Sequence, residues 1–109
     1  MPSNDLDRKI LERAAALFKS EAVWNRADDR KCPPNAATVS IYCAEERAST
    51  EVAGGFHHRR PALELVRVIV DERSKGKSYS HRLMDYNNDP STTLADVRSL
   101  FAAALARAR

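Results

Sequence analysis

The chain is poor in cysteine, in aromatic side chains and in long apolar runs, and each shortage excludes a class of protein. Two cysteines in 109 residues are too few for the disulfide framework of a small secreted scaffold, and Cys32 and Cys43 fit no zinc-ribbon or finger spacing. The plain reading is two reduced thiols in a cytoplasmic protein. Aromatics are 6% of the chain while alanine is abundant, which favours helices packed at close range over a thick sheet sandwich. No apolar run approaches the roughly 20 residues of a bilayer span. The opening Pro2-Ser3 and the acidic residues behind it lack the basic and apolar regions of a secretory leader, so no membrane partner is expected. Repeats, heptads and low-complexity tracts are also missing. Residues 1–109 read as a single globular domain, large enough to enclose a core without staples.

The net charge of +3 is unevenly distributed: residues 1–54 hold eight Lys/Arg against nine Asp/Glu, and residues 55–109 hold ten against six. The second half could meet an acidic partner, although such an imbalance does not require one.

The clearest folding signal lies near the end. Leu94, Val97, Leu100, Phe101, Ala104, Leu105 and Ala108 recur at helical spacing. Thr93 is placed as their N-cap, with Asp96 as a shortened capping-box partner. Asp89-Pro90 upstream disfavours helix at Asp89, because the pyrrolidine ring crowds the preceding residue. At the other end Leu6, Ile10, Ala14 and Leu17 form a stripe widened by Leu11, Ala15 and Phe18, which predicts a first helix running to about Val23 or Trp24. The proline-bearing stretch 27–35 reads as a loop.

The middle supports two readings. Thr38 to Cys43 alternates polar and apolar, which is a strand pattern. Ala37, Ile41, Ala44 and Ala48 nevertheless fit a helical face, so a helix is expected over roughly 36–53, capped by Asn35 and ended by Gly54-Gly55. Residues 65–70 pose the same choice, and Pro61 at a first helical position tips them toward helix. A short helix within 78–87 turns Leu83 and Tyr86 inward. The expected fold is all-α, a compact bundle of four to five short helices; the alternative is α+β with strands near 38–43 and 65–70.

The order of these features resembles a family. Trp24 closes the first helix, Cys43-Ala44 opens a small-residue helix, and Asn88-Asp89 precedes Thr93 and the acid–aliphatic pair Asp96-Val97. This is similar to a family of small helical proteins from bacteria and phages known only as a domain of unknown function. The family's comparable stretch reads Trp-Asn-Asp, whereas Asn87 stands here at the Trp position beside Tyr86. The resemblance implies a single all-helical domain of phage or mobile-element type and supplies no reaction.

Several polar residues could carry chemistry. Asn88 and Asp89, with Thr93 and Asp96, read as structural turn residues whose side chains bond nearby backbone. His57-His58-Arg59-Arg60 is the most conspicuous cluster. Assembled with Cys32, Cys43 and His81 it could be drawn as a metal site, but adjacent histidines diverge and no known ligand spacing fits. No cofactor, metal or catalytic machinery is therefore expected. The segment 57–82 is better read as a basic binding surface made of His57, His58, Arg59, Arg60, Arg67, Arg73, Lys75, Lys77 and Arg82. The leading expectation is a small non-enzymatic protein-interaction or regulatory module that binds a host macromolecule through this surface. Nucleic-acid binding is the alternative, weakened by the lack of a recognition helix or an aromatic platform; a small metalloprotein or enzyme is the third. The alanine-rich face of the last helix leaves homo-oligomer formation open.

Overall fold

The computed structural model describes residues 5–57 and 59–108. It contains five α-helices: α1 (Asp5–Ala16), α2 (Ile41–Ala53), α3 (Pro61–Arg73), α4 (Arg82–Asn88) and α5 (Leu94–Arg107), with one 3-10 turn at Glu21–Val23. The fold is all-α. Among the described residues the strand pattern of 38–43 survives as one isolated parallel bridge between Trp24 and Val39, and 65–70 lies wholly within α3.

Two helix boundaries differ from the sequence expectation, and both are set by long-range bonds. α1 stops at Ala16 rather than near Trp24. The N–H groups of Leu17 and Phe18 bond the carbonyls of Ala14 and Ala15 at 3.1 and 3.2 Å, which tightens the last turn. Arg98 on α5 then donates to the carbonyls of Phe18 and Lys19 at 3.0 and 2.7 Å. With the carbonyls just past the helix served from outside, the chain turns away and delivers Trp24 to the core. α2 starts at Ile41 rather than near residue 36, because Ser40 and not Asn35 is its cap, accepting from the Cys43 N–H at 3.1 Å. Val39 is held extended instead, its N–H donating to Val23 O at 2.8 Å while the Asn25 N–H donates to Val39 O at 2.9 Å.

The other boundaries follow local rules. α2 ends on Gly54 at φ 76°, a left-handed position that suits glycine. α3 opens with Pro61, and α5 carries the full capping box of Thr93 and Asp96.

α1 packs on α2 and α5, and α3 on α4 and α5. The Phe18 and Phe101 rings meet at 5.6 Å, and Leu100, Val97, Val66, Ile69 and Val70 belong to the same buried core. The buried stripe of α1 is Asp7, Ile10, Leu11 and Ala14, whereas Leu6 faces outward. Asp7 is buried for a reason: it accepts from the Ala62 N–H at 3.2 Å. It thus caps α3, whose own N-cap residue, Arg60, makes no side-chain cap bond.

Candidate functional site

The polar residues before Pro90 fix a long-range junction. Asn87 is fully buried on α4. Its Oδ1 accepts from Trp24 Nε1 at 2.8 Å and from the Ile41 N–H at 3.0 Å, and its Nδ2 donates to Asn25 O at 2.8 Å. The Trp24 indole therefore meets α4. Asn88 reaches 60 positions back, its Oδ1 accepting from the Asp28 N–H at 2.8 Å and its Nδ2 donating to Asp28 O at 3.0 Å. Asp89 works nearer home: Oδ1 accepts from the N–H and hydroxyl of Ser91, and Oδ2 from Lys77 and Tyr79, each at 2.6 Å. Those bonds, Lys77 first, hold the Asp89 carboxyl well below the usual carboxylate range. Burial and the bond to Asp89 push the Tyr79 phenol up to about 12.

The nine basic candidates do not act as one sheet of charge. Arg60 lies 3.7 Å from Asp7, Arg67 2.7 Å from Glu64, Lys77 2.6 Å from Asp89 and Arg82 2.7 Å from Asp71. Arg73 donates to the Tyr86 hydroxyl, the Asp96 carbonyl and the Ser99 hydroxyl. His57, Arg59 and Lys75 stand exposed, and His58 lies outside the described residues. Arg67 and Arg82 do come together, in a polar cleft of about 180 Å³ that they share with Arg30, Tyr42, Ser80 and His81.

Arg30 is the member that the sequence reading missed. It lies at φ 63°, in the left-handed region, where a non-glycine residue is uncommon. Asp28 holds it there, its Oδ1 accepting from the Arg30 N–H at 2.9 Å. The Arg30 guanidinium sits 5.3 Å from the centre of the Tyr42 ring and 3.4 Å from His81 Nδ1. No ion pair with a carboxylate forms at Arg30 among the described residues. The only sequence signal was a cation embedded in the Asp28-Asp29-Arg30-Lys31 turn.

Glu45 was also overlooked. It is fully buried on α2, and neither carboxyl oxygen has a hydrogen-bond partner. Desolvation pushes the carboxyl up to about 8, opposed by Arg67 and reinforced by Asp7. It falls on the same helix stripe as Ile41, Ala48 and Ser49, which was the available clue.

Cys32 and Cys43 are joined in a disulfide, correcting the expectation of two reduced thiols. The loop folds back on the first turn of α2 and brings their Cα atoms to 5.3 Å, within bridging range. Neither sulfur is thus a thiolate ligand, and among the described residues no group of three or more His, Cys, Asp or Glu is placed to hold a metal ion. Cytoplasmic placement loses the support of free thiols. No helix among the described residues is long and apolar enough to cross a membrane.

A wider groove of about 630 Å³ lies between the loop and α2, walled by the disulfide, Pro33, Pro34 and Arg47. Its charges are of both signs. Arg47 is tied to Ala36 O at 3.1 Å and Glu51 to Arg13 at 2.6 Å. The smaller cleft, lined by cations from three segments (the loop before α2, α3 and the start of α4), is the better-defined chemical site.

Comparison with curated proteins and with solved structures gives no match. The resemblance seen in the Asn88-Asp89 and Thr93-Asp96-Val97 pattern holds over nearly the whole chain: a family model matches residues 2–107, and the protein belongs to the family of unknown function DUF6197.

Proposed function

We propose that this domain is a non-enzymatic protein-interaction or regulatory module that docks an acidic group of a protein partner in the cleft of Arg30, Tyr42, Arg67, His81 and Arg82. The observation that carries the reading is the convergence of three guanidinium groups and an imidazole on one small cleft, with Arg30 lacking a carboxylate counter-ion among the described residues. The docking surface is thereby narrower than the whole 57–82 segment. A host macromolecule as partner, in the phage or mobile-element setting that the resemblance implies, belongs to the same reading.

Nucleic acid is the weaker reading. A protein that tracks a phosphate backbone needs many cations available to displace counter-ions. Here Arg60, Arg73 and Lys77 are held by the protein's own acceptors outside the cleft, which leaves few cations to follow a backbone.

Affinity capture with the intact chain, its Arg30→Glu variant and its Arg82→Glu variant tests the proposal. Expected is a set of nuclease-insensitive proteins held by the parent and lost from both variants. Equal capture by all three overturns the cleft as docking point. Retention on DNA or RNA that collapses steeply with added salt overturns the protein partner in favour of nucleic acid.

A further inference from the structure

We infer that the group received by this cleft is a phosphomonoester dianion carried on a partner side chain, as in a phosphorylated serine; this rests on the binding-module reading above. A carboxylate is planar, carries one charge and is satisfied by one bidentate arginine. The cleft provides more than that. Arg30 comes from the loop before α2, Arg67 from α3, and His81 and Arg82 from the start of α4, with Tyr42 of α2 forming a further wall. Donors approaching from separate walls suit a tetrahedral acceptor. A phosphomonoester offers three terminal oxygens and a charge of roughly −1.5 to −2 near neutrality.

The charge balance points the same way. Arg82 is compensated by Asp71, whose side chain is 52% exposed, and Arg67 by the partly exposed Glu64. Both acids can be exchanged for a ligand oxygen and released to water at little cost. Arg30 and His81 lie 3.4 Å apart. A dianion among these groups would supply the counter-charge that Arg30 lacks among the described residues, and its second charge would offset what Arg82 gives up on parting from Asp71.

The site is also pre-formed. The loop carrying Arg30 is fastened on one side by the Asp28–Asn88 bonds at 2.8 and 3.0 Å and on the other by the Cys32–Cys43 bridge. The Tyr42 ring lies under the guanidinium. Little ordering entropy remains to be lost when a ligand arrives.

Calorimetric titration with a short alanine-flanked phosphoserine peptide, its serine and glutamate counterparts, and inorganic phosphate tests this. The phosphoserine peptide should bind at least about tenfold more tightly than the glutamate peptide, with the serine peptide weaker still. Arg30→Gln and Arg82→Gln, checked for native helicity, should each weaken it by about tenfold. Equal binding of phosphoserine and glutamate peptides overturns the inference and leaves the module reading standing. Inorganic phosphate binding as tightly as the phosphopeptide overturns it in favour of a free ion. Failure of the phosphopeptide to bind, while Arg30→Glu still abolishes protein capture, overturns the inference alone; failure of both removes the module reading as well.

Discussion

Protonation of Glu45 is linked to folding, and the sign follows from its burial. The carboxyl's ordinary value is 4.5, and in the fold desolvation raises it to about 8. Between those values the folded state holds a proton that the unfolded chain has released. Stability from this group is therefore complete below the lower value and is lost as pH rises toward the upper one. Each pH unit in that window removes about 1.4 kcal/mol. By pH 7 the loss is roughly 3 kcal/mol relative to acid conditions, a large share of the ~5–15 kcal/mol that holds a domain together. Glu45→Met removes the ionisable group and both unpartnered oxygens while keeping an unbranched shape of similar volume. Urea unfolding at several values between about pH 5 and pH 8 should show the parent losing stability while the variant changes much less, so that the gap widens to several kcal/mol. Parallel curves would refute the reasoning: they would mean that Glu45 is ionised in the fold, compensated by Arg67, or reached by water.

Asn87→Ala should cost about 3 kcal/mol or more, because it strands the buried Trp24 Nε1 and Ile41 N–H donors together with the Asn25 carbonyl; thermal unfolding followed by circular dichroism checks it, and a loss below about 1 kcal/mol contradicts it. Thr93→Ala removes one half of the α5 capping box and should lower stability by about 1 kcal/mol, seen as a shifted urea midpoint with an unchanged slope. Replacing Cys32 and Cys43 together by alanine opens a loop of sequence separation 11 and should cost on the order of 2–3 kcal/mol. Hydrogen exchange should then rise around Arg30 and stay low in α5, whereas uniform exchange across the chain would show that the bridge does not act locally.

Much of the fold was legible because its signals are local. The Thr93–Asp96 box, Pro61 and Gly54 act within a turn of where they stand, and the apolar spacing of α5 needed no tertiary information. The boundaries that were misread answer to distant groups. Just past the end of α1 Arg98 supplies donors to Phe18 and Lys19, and α2 begins just after Val39, which is held by Val23 and Asn25. Buried polar residues were the least legible. Asp7, Glu45 and Asn87 have side chains that in a sequence suggest surface, and what buries them is contact with elements far along the chain. Of the candidate binding residues, the cleft takes Arg67 and Arg82 from the basic stretch, but its third arginine comes from the other half of the sequence. No reading confined to the 57–82 segment could place Arg30 there.

The asparagines before Pro90 join these two halves. As a turn builder Asn88 would have acted over two or three residues, yet it bonds Asp28, while Asn87 bonds Trp24, Asn25 and Ile41. The segment leading into α2 is thus held against α4 along much of its length, and α4 begins beside His81 and Arg82. The same contacts that close the core over Trp24 therefore set the distance between Arg30 on one wall of the cleft and Arg82 on the other. A loop this free of regular structure could not otherwise hold a cation in a left-handed conformation over an aromatic ring. Shape-building and ligand-binding roles fall on different residues but depend on one another: the amides supply the rigidity, and the cations use it.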